Sequence, residues 1–235
     1  MLNPRTSLLL GTRNPGKIHE IKLILGDVGL ELCSLNDFPD VAVAEENADT
    51  YAENAIAKAQ FYARATGLPA LADDSGLEVE ALDGAPGVLS ARYAGEHATD
   101  ADRRELLLSE LSKTGRDTRR TLHENRSTGR KNPSAVSENR RARFVCAIAI
   151  AGVDGELLKV TEGICEGTIT FAPRGTSGFG YDPLFVPDGY DQTFAELPDE
   201  VKNRISHRAR ALLKLRDFLS HGSITRNLLN TTGFG

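Results

Sequence analysis

The chain has 235 residues, of which 40% are hydrophobic and 26% are charged, so it is long enough to bury a substantial core. Its net charge of −5 gives no overall basic field for nucleic acid, and no apolar run approaches the roughly 20 residues that span a bilayer. The three cysteines are odd in number and widely spaced, which favours reduced thiols over a disulfide framework or a zinc site. We therefore expect one globular, cytoplasmic protein that does not bind a membrane.

The first predicted elements are a strand, a loop and a helix. Residues 7–10 form an apolar run typical of a buried strand, and the apolar residues that follow the loop recur at helical spacing. The spacing of Gly11, Gly16 and Lys17 fits a P-loop. A P-loop continues with Ser or Thr, whose hydroxyl holds Mg²⁺, but Ile18 stands there. The loop is therefore predicted to bind phosphate while other residues hold the metal.

Two pairs of acids provide candidate metal ligands. A helix is predicted over residues 50–65, and a short strand over residues 70–72 then leads into Asp73 and Asp74. Acids directly after a strand of an α/β protein lie where ligands bind. A second pair stands at residues 45–46. Because Mg²⁺ takes one or two protein carboxylates and fills its other positions with water and phosphate oxygens, these acids can supply what Ile18 cannot.

The second half of the chain continues the alternation of helix and strand signals. A helix is predicted over residues 99–111, a hairpin from residues 143–150 and 157–160, and a long helix over residues 199–219. Residues 221–235 are expected to form a frayed polar tail. The pattern predicts a mixed α/β fold in a single domain over residues 1–220.

Residues 112–143 break this pattern. The segment contains ten Lys or Arg and three Asp or Glu, with almost no large apolar side chains. It cannot bury enough surface to fold alone, so we expect a solvated, flexible insert. The alternative is an arm that binds nucleic acid, since its local charge of +7 leaves −12 on the rest of the chain.

A second candidate site lies in the last quarter of the chain, where residues 178–183 read GFGYDP. An aromatic residue between glycines is either a plain turn whose ring fills the core or a platform on which a planar ligand stacks. Nearby, Lys202 and the Ser-His-Arg run at residues 206–208 offer hydrogen-bond donors. Each of these signals alone also fits a structural role or a solvated face.

Taken in chain order, these motifs resemble one family, the inosine triphosphate pyrophosphatases, also called XTP/dITP diphosphatases or noncanonical purine NTP pyrophosphatases. The resemblance runs from about residue 8 to residue 219, and the basic segment is longer and more basic than the family's usual connection. It identifies the first loop as a phosphate-binding loop of this family rather than a P-loop. The motifs are TRNPGK at 12–17, EE at 45–46, ENA at 53–55 with KA at 58–59, ADDSGL at 72–77, GAPG at 84–87 with SARY at 90–93, GFGYDP at 178–183, and Lys202 with SHR at 206–208.

The resemblance implies a role for each matching residue. Glu46 and Asp74 would hold Mg²⁺, Asp74 would also accept the proton of the attacking water, and Ser75 would lie beside the substrate. The purine base would meet Phe179, Gly180, Tyr181 and Asp182, with His207 and Arg208 donating to its 6-oxo group. The triphosphate would be bound by Thr12, Arg13, Asn14, Pro15, Gly16, Lys17, Lys58 and Lys202.

The fold implied is an elongated mixed β-sheet with helices and two lobes around a central nucleotide cleft, assembled as a homodimer. The reaction implied is hydrolysis of ITP, dITP or XTP at the α-phosphorus, giving the monophosphate and pyrophosphate. Two alternatives remain open at this point. One is a Maf-like pyrophosphatase of other nucleotides, and the other is a nucleic-acid-binding protein that uses the basic insert.

Overall fold

The computed structural model describes residues 7–124 and 139–220 of the chain. Strands and helices alternate along this described part. The strands are β1 (Ser7–Leu10), β2 (Glu31–Ser34), β3 (Ala70–Val79), β4 (Arg141–Ala151), β5 (Leu157–Ile169) and β6 (Phe185–Pro187). The α-helices are α1 (Pro15–Leu25), α2 (Tyr51–Thr66), α3 (Asp100–Glu124), α4 (Asp199–Ile205) and α5 (His207–Ser220). No helix of this part is both long enough and apolar enough to cross a lipid bilayer.

The strands form one mixed sheet in the order β2-β1-β3-β4-β5-β6. β1 pairs in parallel with both β2 and β3, while β5 and β6 pair antiparallel. β1 is central among the parallel strands, and its residues Leu8, Leu9 and Leu10 are fully buried, as expected for a strand covered on both faces. The predicted mixed α/β class is confirmed.

The chain divides into two compact units, each assembled from several separated stretches. The first unit contains residues 1–75, 145–165 and 198–235, and the second contains residues 76–144 and 166–197. Each unit has its own apolar core, described below. The single domain over residues 1–220 stays a prediction. Within that range the chain packs into two compact units.

The core of the first unit lies between the sheet and two helices. Ile21 and Leu25 of α1 and Leu212 and Leu215 of α5 are fully buried, and they belong to one cluster with Leu8 and other strand residues. Their spacing of three or four residues places them on one face of each helix. Burial of such side chains contributes roughly 1.5–3 kcal/mol each, so this cluster holds the two helices on the sheet.

The core of the second unit is built around aromatic side chains. The ring of Phe185 lies 4.7 Å from that of Phe144 and 5.2 Å from that of Phe194, measured between centroids. Phe185 and Phe194 are almost fully buried, and Phe144 is largely buried. The two contacts are edge-on and tilted, geometries that aromatic pairs prefer over face-to-face stacking.

Three predicted elements differ from the structure. The strand predicted over residues 70–72 continues to Val79, so Asp73 and Asp74 lie within β3 instead of after it. The strand can continue through both acids because each is paired with a cationic side chain. The predicted helix over residues 199–219 is broken at Ser206, whose backbone is extended (ψ 157°). The N–H of Ser206 donates to Lys202 O and its Oγ accepts from Ala209 N, which ends one helix and caps the next.

The basic insert also departs from its prediction at both ends. The helix predicted to end near residue 111 extends to Glu124, and β4 already begins at Arg141. Lengthening a helix that has already formed is far easier than starting one, so polar residues can be added to its end. Residues 125–138 of the insert, and the predicted tail at residues 221–235, lie outside the described residues.

Candidate active site

The loop between β1 and α1 ends at a helix N-terminus. Asn14 caps α1 by accepting a hydrogen bond from the Lys17 N–H at 3.1 Å. Thr12 Oγ1 accepts from the Asn14 N–H at 3.1 Å, which fixes the turn before the helix. Gly11 is required because a Cβ there would lie 2.8 Å from the ring of Tyr62. Pro15 has no N–H and the cap takes the Lys17 N–H, so the loop presents mainly the positive end of the helix dipole, which favours an anion.

A concavity of about 190 Å³ in the first unit is lined by this loop. Its charged lining consists of Lys17 and Lys58 together with Glu46 and Asp73, plus Arg13. The cations suit a phosphate chain and the acids suit a divalent cation. The other lining residues are Gly11, Thr12, Leu35, Val43, Ala44 and Tyr62.

Arg13, predicted to bind substrate, makes contacts within the protein. Its Nη2 donates to the carbonyl oxygens of Val41 at 2.9 Å and Phe38 at 3.2 Å. These bonds attach the segment that precedes Glu46 to the phosphate loop. Arg13 therefore orders one wall of the concavity, and its contact with substrate stays a prediction.

Lys58 joins two carboxylates on the floor of the site. Its ammonium lies 2.5 Å from Glu46 Oε1 and 3.0 Å from Asp74 Oδ1. One turn earlier on α2, Asn54 donates from Nδ2 to Asp74 Oδ2 at 3.2 Å. Residues four apart on a helix share a face, so α2 presents both donors to the same strand. Burial by itself would lower the pKa of Lys58, but the charges of Asp74 and Glu46 outweigh it and raise that pKa.

Asp74 has the properties of a proton acceptor. Burial raises its pKa, the charge of Glu46 raises it further, and Lys58 only partly opposes these effects. A carboxylate with a raised pKa binds a proton more readily than an ordinary aspartate does. Since a general base works best with a pKa near the working pH, this environment fits the predicted role of Asp74.

Asp73 lies in the opposite environment although it is the neighbouring residue. Lys17 Nζ is 3.0 Å from its Oδ2, and Arg208 donates to the same oxygen from Nε at 3.1 Å and from Nη2 at 3.0 Å. Burial alone would raise the pKa of Asp73, but Lys17 and Arg208 hold it well below its usual range. Asp73 therefore stays ionised and positions the two cations. Its environment differs from that of Asp74 because successive strand residues point to opposite faces.

A second carboxylate, Glu20 on α1, completes this buried charge network. Lys202 Nζ lies 2.7 Å from Glu20 Oε1, and Arg208 Nη1 donates to Glu20 Oε2. Burial would raise the pKa of Glu20, but the charges of Arg208 and Lys202 lower it. Arg208 Nη2 also donates to Ser75 Oγ at 2.9 Å. The network thus ties α1, β3 and the two C-terminal helices together through charge-assisted bonds.

The break between α4 and α5 determines where Lys202, His207 and Arg208 lie. Because the chain leaves the helical conformation at Ser206, residues on either side of it are turned toward the same buried network. His207 is 4% exposed. Burial, together with the charges of Arg208 and Lys202, lowers its pKa well below the ordinary value, so its imidazole is neutral at pH 7.

In the second unit, the predicted stacking motif forms a tight turn with Phe179 half-buried at its tip. Asp182 Oδ2 accepts from the Phe179 N–H at 2.9 Å, and the Asp182 N–H donates to Phe179 O at 3.1 Å. Tyr181 is buried and donates its hydroxyl to Ser90 O at 3.0 Å. Tyr181 and Asp182 therefore anchor the turn, whereas Phe179 is the aromatic side chain that it presents.

The structure gathers most of the predicted site residues in the first unit and places the stacking motif in the second. Asn54 and Glu20 were absent from the predicted site residues, and Asp73 was predicted only as one of a pair of candidate metal ligands. Asn54 stands one helical turn before Lys58 and Asp73 adjoins Asp74, so their positions carried a signal. The position of Glu20 gave no such signal in the sequence, because its partners come from the far end of the chain.

The acids of the site fit a metal that shares its ligands with substrate. Within residues 7–124 and 139–220, no group of three or more His, Cys, Asp or Glu is arranged to hold a metal ion alone. Glu46 and Asp74 are both within bonding distance of one ammonium, so their oxygens are close together. Two carboxylates completed by water and phosphate oxygens are the ligand set that Mg²⁺ prefers.

Comparisons with known proteins agree on one family. The sequence model of the Ham1 family matches residues 8–218. A Geobacter sulfurreducens protein named dITP/XTP pyrophosphatase is 47% identical over 214 residues, which is 91% of this chain and 96% of that protein. A Streptomyces avermitilis protein of the same name is 46% identical over 213 residues, covering 89% of this chain and 95% of that protein.

Solved structures give the same result. A HAM1 protein from Coxiella burnetii superposes with a TM-score of 0.75 at 38% identity, covering 92% of this chain and all of that one. A dITP/XTP pyrophosphatase from Mycobacterium abscessus superposes with a TM-score of 0.64 at 41% identity, covering 89% of this chain and 98% of that one.

Proposed function

Since the chain belongs to the Ham1 family, we propose that it hydrolyses the noncanonical purine nucleotides ITP, dITP and XTP to the monophosphate and pyrophosphate. The observation that supports this most directly is the pair of carboxylates, Glu46 and Asp74, joined by Lys58 beside a phosphate-binding loop. Relatives that match most of the chain are named dITP/XTP pyrophosphatases.

The triphosphate is bound by the loop and by lysines. The N-terminus of α1 contributes the positive end of the helix dipole, and Lys17 and Lys58 line the same concavity. Lys17 already pairs with Asp73, so its ammonium is held in place before substrate arrives. Fixed charges of this kind stabilise a polyanion without a further cost of reorganisation. Thr12, Asn14, Pro15 and Gly16 form the rest of the loop.

Glu46 and Asp74 would hold Mg²⁺ together with oxygens of the substrate. When bound, the ion neutralises phosphate charge and withdraws electrons from the phosphorus that is attacked. The position of Lys58 between the two carboxylates keeps them together when the ion is absent, since like charges at this distance would otherwise repel each other.

Asp74 serves as the general base. A water oxygen forms a bond to the α-phosphorus, the bond from that phosphorus to the oxygen bridging to the β-phosphorus breaks, and the water proton passes to Asp74. The raised pKa of Asp74 makes it a competent acceptor. Asn54 donates to the other carboxylate oxygen and so orients the group.

Base selection rests on hydrogen-bond polarity. A neutral His207 has one ring N–H that can donate to a purine 6-oxo oxygen, whereas the 6-amino group of adenine would place a donor against a donor. Phe179 supplies the stacking surface. Arg208 donates to Asp73, Glu20 and Ser75, so its direct contact with the base is a separate hypothesis, which an Arg208→Ala variant tests.

The reaction type is tested by hydrolysing ITP with Mg²⁺ in ¹⁸O-labelled water. Attack at the α-phosphorus places the label in IMP and releases unlabelled pyrophosphate. IDP and inorganic phosphate as first products would contradict the proposal. A panel of ITP, XTP, GTP, ATP and dTTP separates it from a Maf-like enzyme, because only 6-oxo purines of the noncanonical set should be preferred.

The proposal includes a cytoplasmic homodimer that uses Mg²⁺. Cytoplasm suits an enzyme of nucleotide metabolism, and Cys33, Cys146 and Cys165 are all buried as thiols rather than as disulfides. Light scattering coupled to size-exclusion chromatography measures the assembly, and a mass of one chain would refute the dimer.

A further inference from the structure

The turn that carries Phe179 has a backbone conformation that two glycines permit. Gly178 and Gly180 both adopt positive φ, at 75° and 59°, a region that side-chain-bearing residues disfavour. A Cβ on Gly178 would also collide with the Asp182 carboxylate, which accepts from the Phe179 N–H. The peptide before Phe179 is therefore fixed by Asp182, within the turn itself.

The peptide after Phe179 is fixed from outside the turn, by the first two turns of α3. Asp100 Oδ2 accepts from the Gly180 N–H at 2.7 Å. Arg104 Nη1 donates to Gly180 O, also at 2.7 Å. Asp100 and Arg104 are four residues apart and therefore share one face of the helix. Both backbone polar groups of a single glycine are thus bound by charged side chains, and bonds of this kind are roughly twice as strong as neutral ones.

The start of α3 is itself held firmly. The Thr99 N–H donates to Asp102 Oδ2 at 2.7 Å and the Asp102 N–H donates to Thr99 Oγ1 at 3.2 Å, a reciprocal cap of the helix N-terminus. Arg103 Nη1 pairs with the other oxygen of Asp100, and Arg103 Nη2 donates to the Ala98 carbonyl at 2.7 Å. Asp100 and Arg104 therefore extend from a fixed helix end.

We propose that Asp100 and Arg104 are positioning residues that hold Phe179 as the stacking surface for the purine base, and so set affinity for the base but not for the triphosphate. The inference rests on the proposed function, in which Phe179 stacks on the base. With the peptides on both sides of Phe179 fixed, the direction of its Cα–Cβ bond is fixed too. A ring ordered in advance binds a base without the entropic cost of ordering it.

The test compares binding of two probes, ITP and inorganic tripolyphosphate, by calorimetry in EDTA so that no turnover occurs. Arg104→Leu removes one of the two contacts with Gly180. We expect it to weaken ITP binding by about fivefold or more, since base–aromatic stacking supplies much of nucleotide affinity. Tripolyphosphate has no base, so its affinity should stay within about twofold of wild type by the same reasoning.

Arg104→Lys keeps a donor and should recover part of the ITP affinity. Arg210→Leu is the matched control, because Arg210 Nη1 likewise donates to one backbone carbonyl, that of Ile164, at 2.6 Å. It should leave the affinity for both probes unchanged. Asp100→Ala removes the other contact and should repeat the pattern of Arg104→Leu, which keeps the test decisive if either variant folds poorly.

Equal loss of affinity for both probes in Arg104→Leu and Asp100→Ala would indicate general loosening of the fold and overturn the inference. Unchanged ITP affinity in both variants would overturn it as well. A wild type that binds ITP without hydrolysing it when Mg²⁺ is supplied contradicts the proposed function alone, because the binding comparison still tests the positioning role. A wild type that binds neither probe contradicts both.

Discussion

At the scale of single residues, two neighbouring aspartates of β3 have opposite electrostatic environments. Asp73 is neutralised by Lys17 and Arg208, and its pKa is held low, although burial alone would raise it. The pKa of Asp74 is raised by burial and by Glu46. This difference supports the proposal that Asp73 positions the cations while Asp74 accepts the proton, and it makes the two residues separable by experiment.

Asp74→Asn should lower kcat for ITP by about 10²–10⁴, the usual contribution of a general base. The variant leaves Lys58 paired with Glu46, so it should lower the unfolding temperature at pH 8 by less than Asp73→Asn does. Scanning calorimetry and initial rates measure both effects.

Asp73→Asn is the matched control at the neighbouring position. It removes a buried carboxylate that is stabilised in its ionised form, leaving Lys17 and Arg208 with less compensation. Breaking a buried pair in this way costs about 3–5 kcal/mol, so its unfolding temperature should fall clearly at the same pH. Equal destabilisation by the two substitutions would contradict the difference in environment.

Arg208→Ala tests whether this residue reads the base. If Arg208 donates to the 6-oxo group, its removal should weaken binding of ITP in the transition state by about 1–3 kcal/mol. ATP loses a donor that faces its own 6-amino group, so the ITP to ATP ratio of kcat/KM should shrink by at least tenfold. Lys17→Ala is the control, since a change at the triphosphate should lower both substrates alike. An unchanged ratio in Arg208→Ala would make Arg208 a positioning residue of Asp73 and Glu20 only.

At the scale of elements, the basic insert is flanked by anchored structure. Arg104 of α3 binds Gly180, and at the start of β4 Arg140 donates to the carbonyls of Ile169 and Thr170, each at 2.7 Å. Both flanks are therefore tied to the second unit by bonds of their own. None of the predicted site residues lies between them.

Replacing residues 125–138 with a Gly-Ser linker of equal length should therefore leave kcat/KM for ITP within about threefold of wild type, a change below 1 kcal/mol. A loss of more than about tenfold, roughly 1.4 kcal/mol, would show that the segment contributes to the site or the fold. Fluorescence anisotropy with single-stranded RNA at two salt concentrations tests the alternative function. Salt-sensitive binding that disappears in the linker variant would support a nucleic-acid arm.

At the scale of the whole molecule, the buried ionisable groups predict how stability depends on pH. His207 has a folded pKa well below 6.5, so below that pH the unfolded chain binds a proton that the folded chain excludes. Stability should therefore fall as pH drops below about 6.5. Asp73 and Glu20 have lowered folded pKa values, so their contribution is complete above the ordinary carboxyl range and is lost at lower pH.

Thermal unfolding measured between pH 8 and pH 2 checks this order of events. His207→Gln removes the titrating imidazole and should flatten the decline between about pH 6.5 and pH 5, while leaving the steeper carboxyl region below pH 4 in place. An unchanged slope in His207→Gln would show that His207 is not the group responsible for the first decline.

Much of the fold and of the site could be predicted from local sequence patterns. The phosphate loop depends on Gly11, the cap at Asn14 and the helix after it, all within one short stretch. The helix that carries Lys58 was predicted from residue 50, and α2 begins at Tyr51 behind the cap Thr50, whose side chain accepts from the Glu53 N–H. Such signals persist because hydrogen bonds and periodicity within a segment do not depend on what packs against it.

The sequence alone determined the family resemblance, the α/β class and the residue types needed for phosphate and magnesium chemistry, because these depend on local spacing and side-chain chemistry. Only the tertiary structure decided the length of β3, the break at Ser206 and the ionisation of Asp73 and Asp74. The ionisation of the two aspartates depends on charges brought together from distant parts of the chain, such as Lys17 and Arg208 at Asp73. The free energy of a buried charge is set by its neighbours in space, and no local pattern encodes those neighbours.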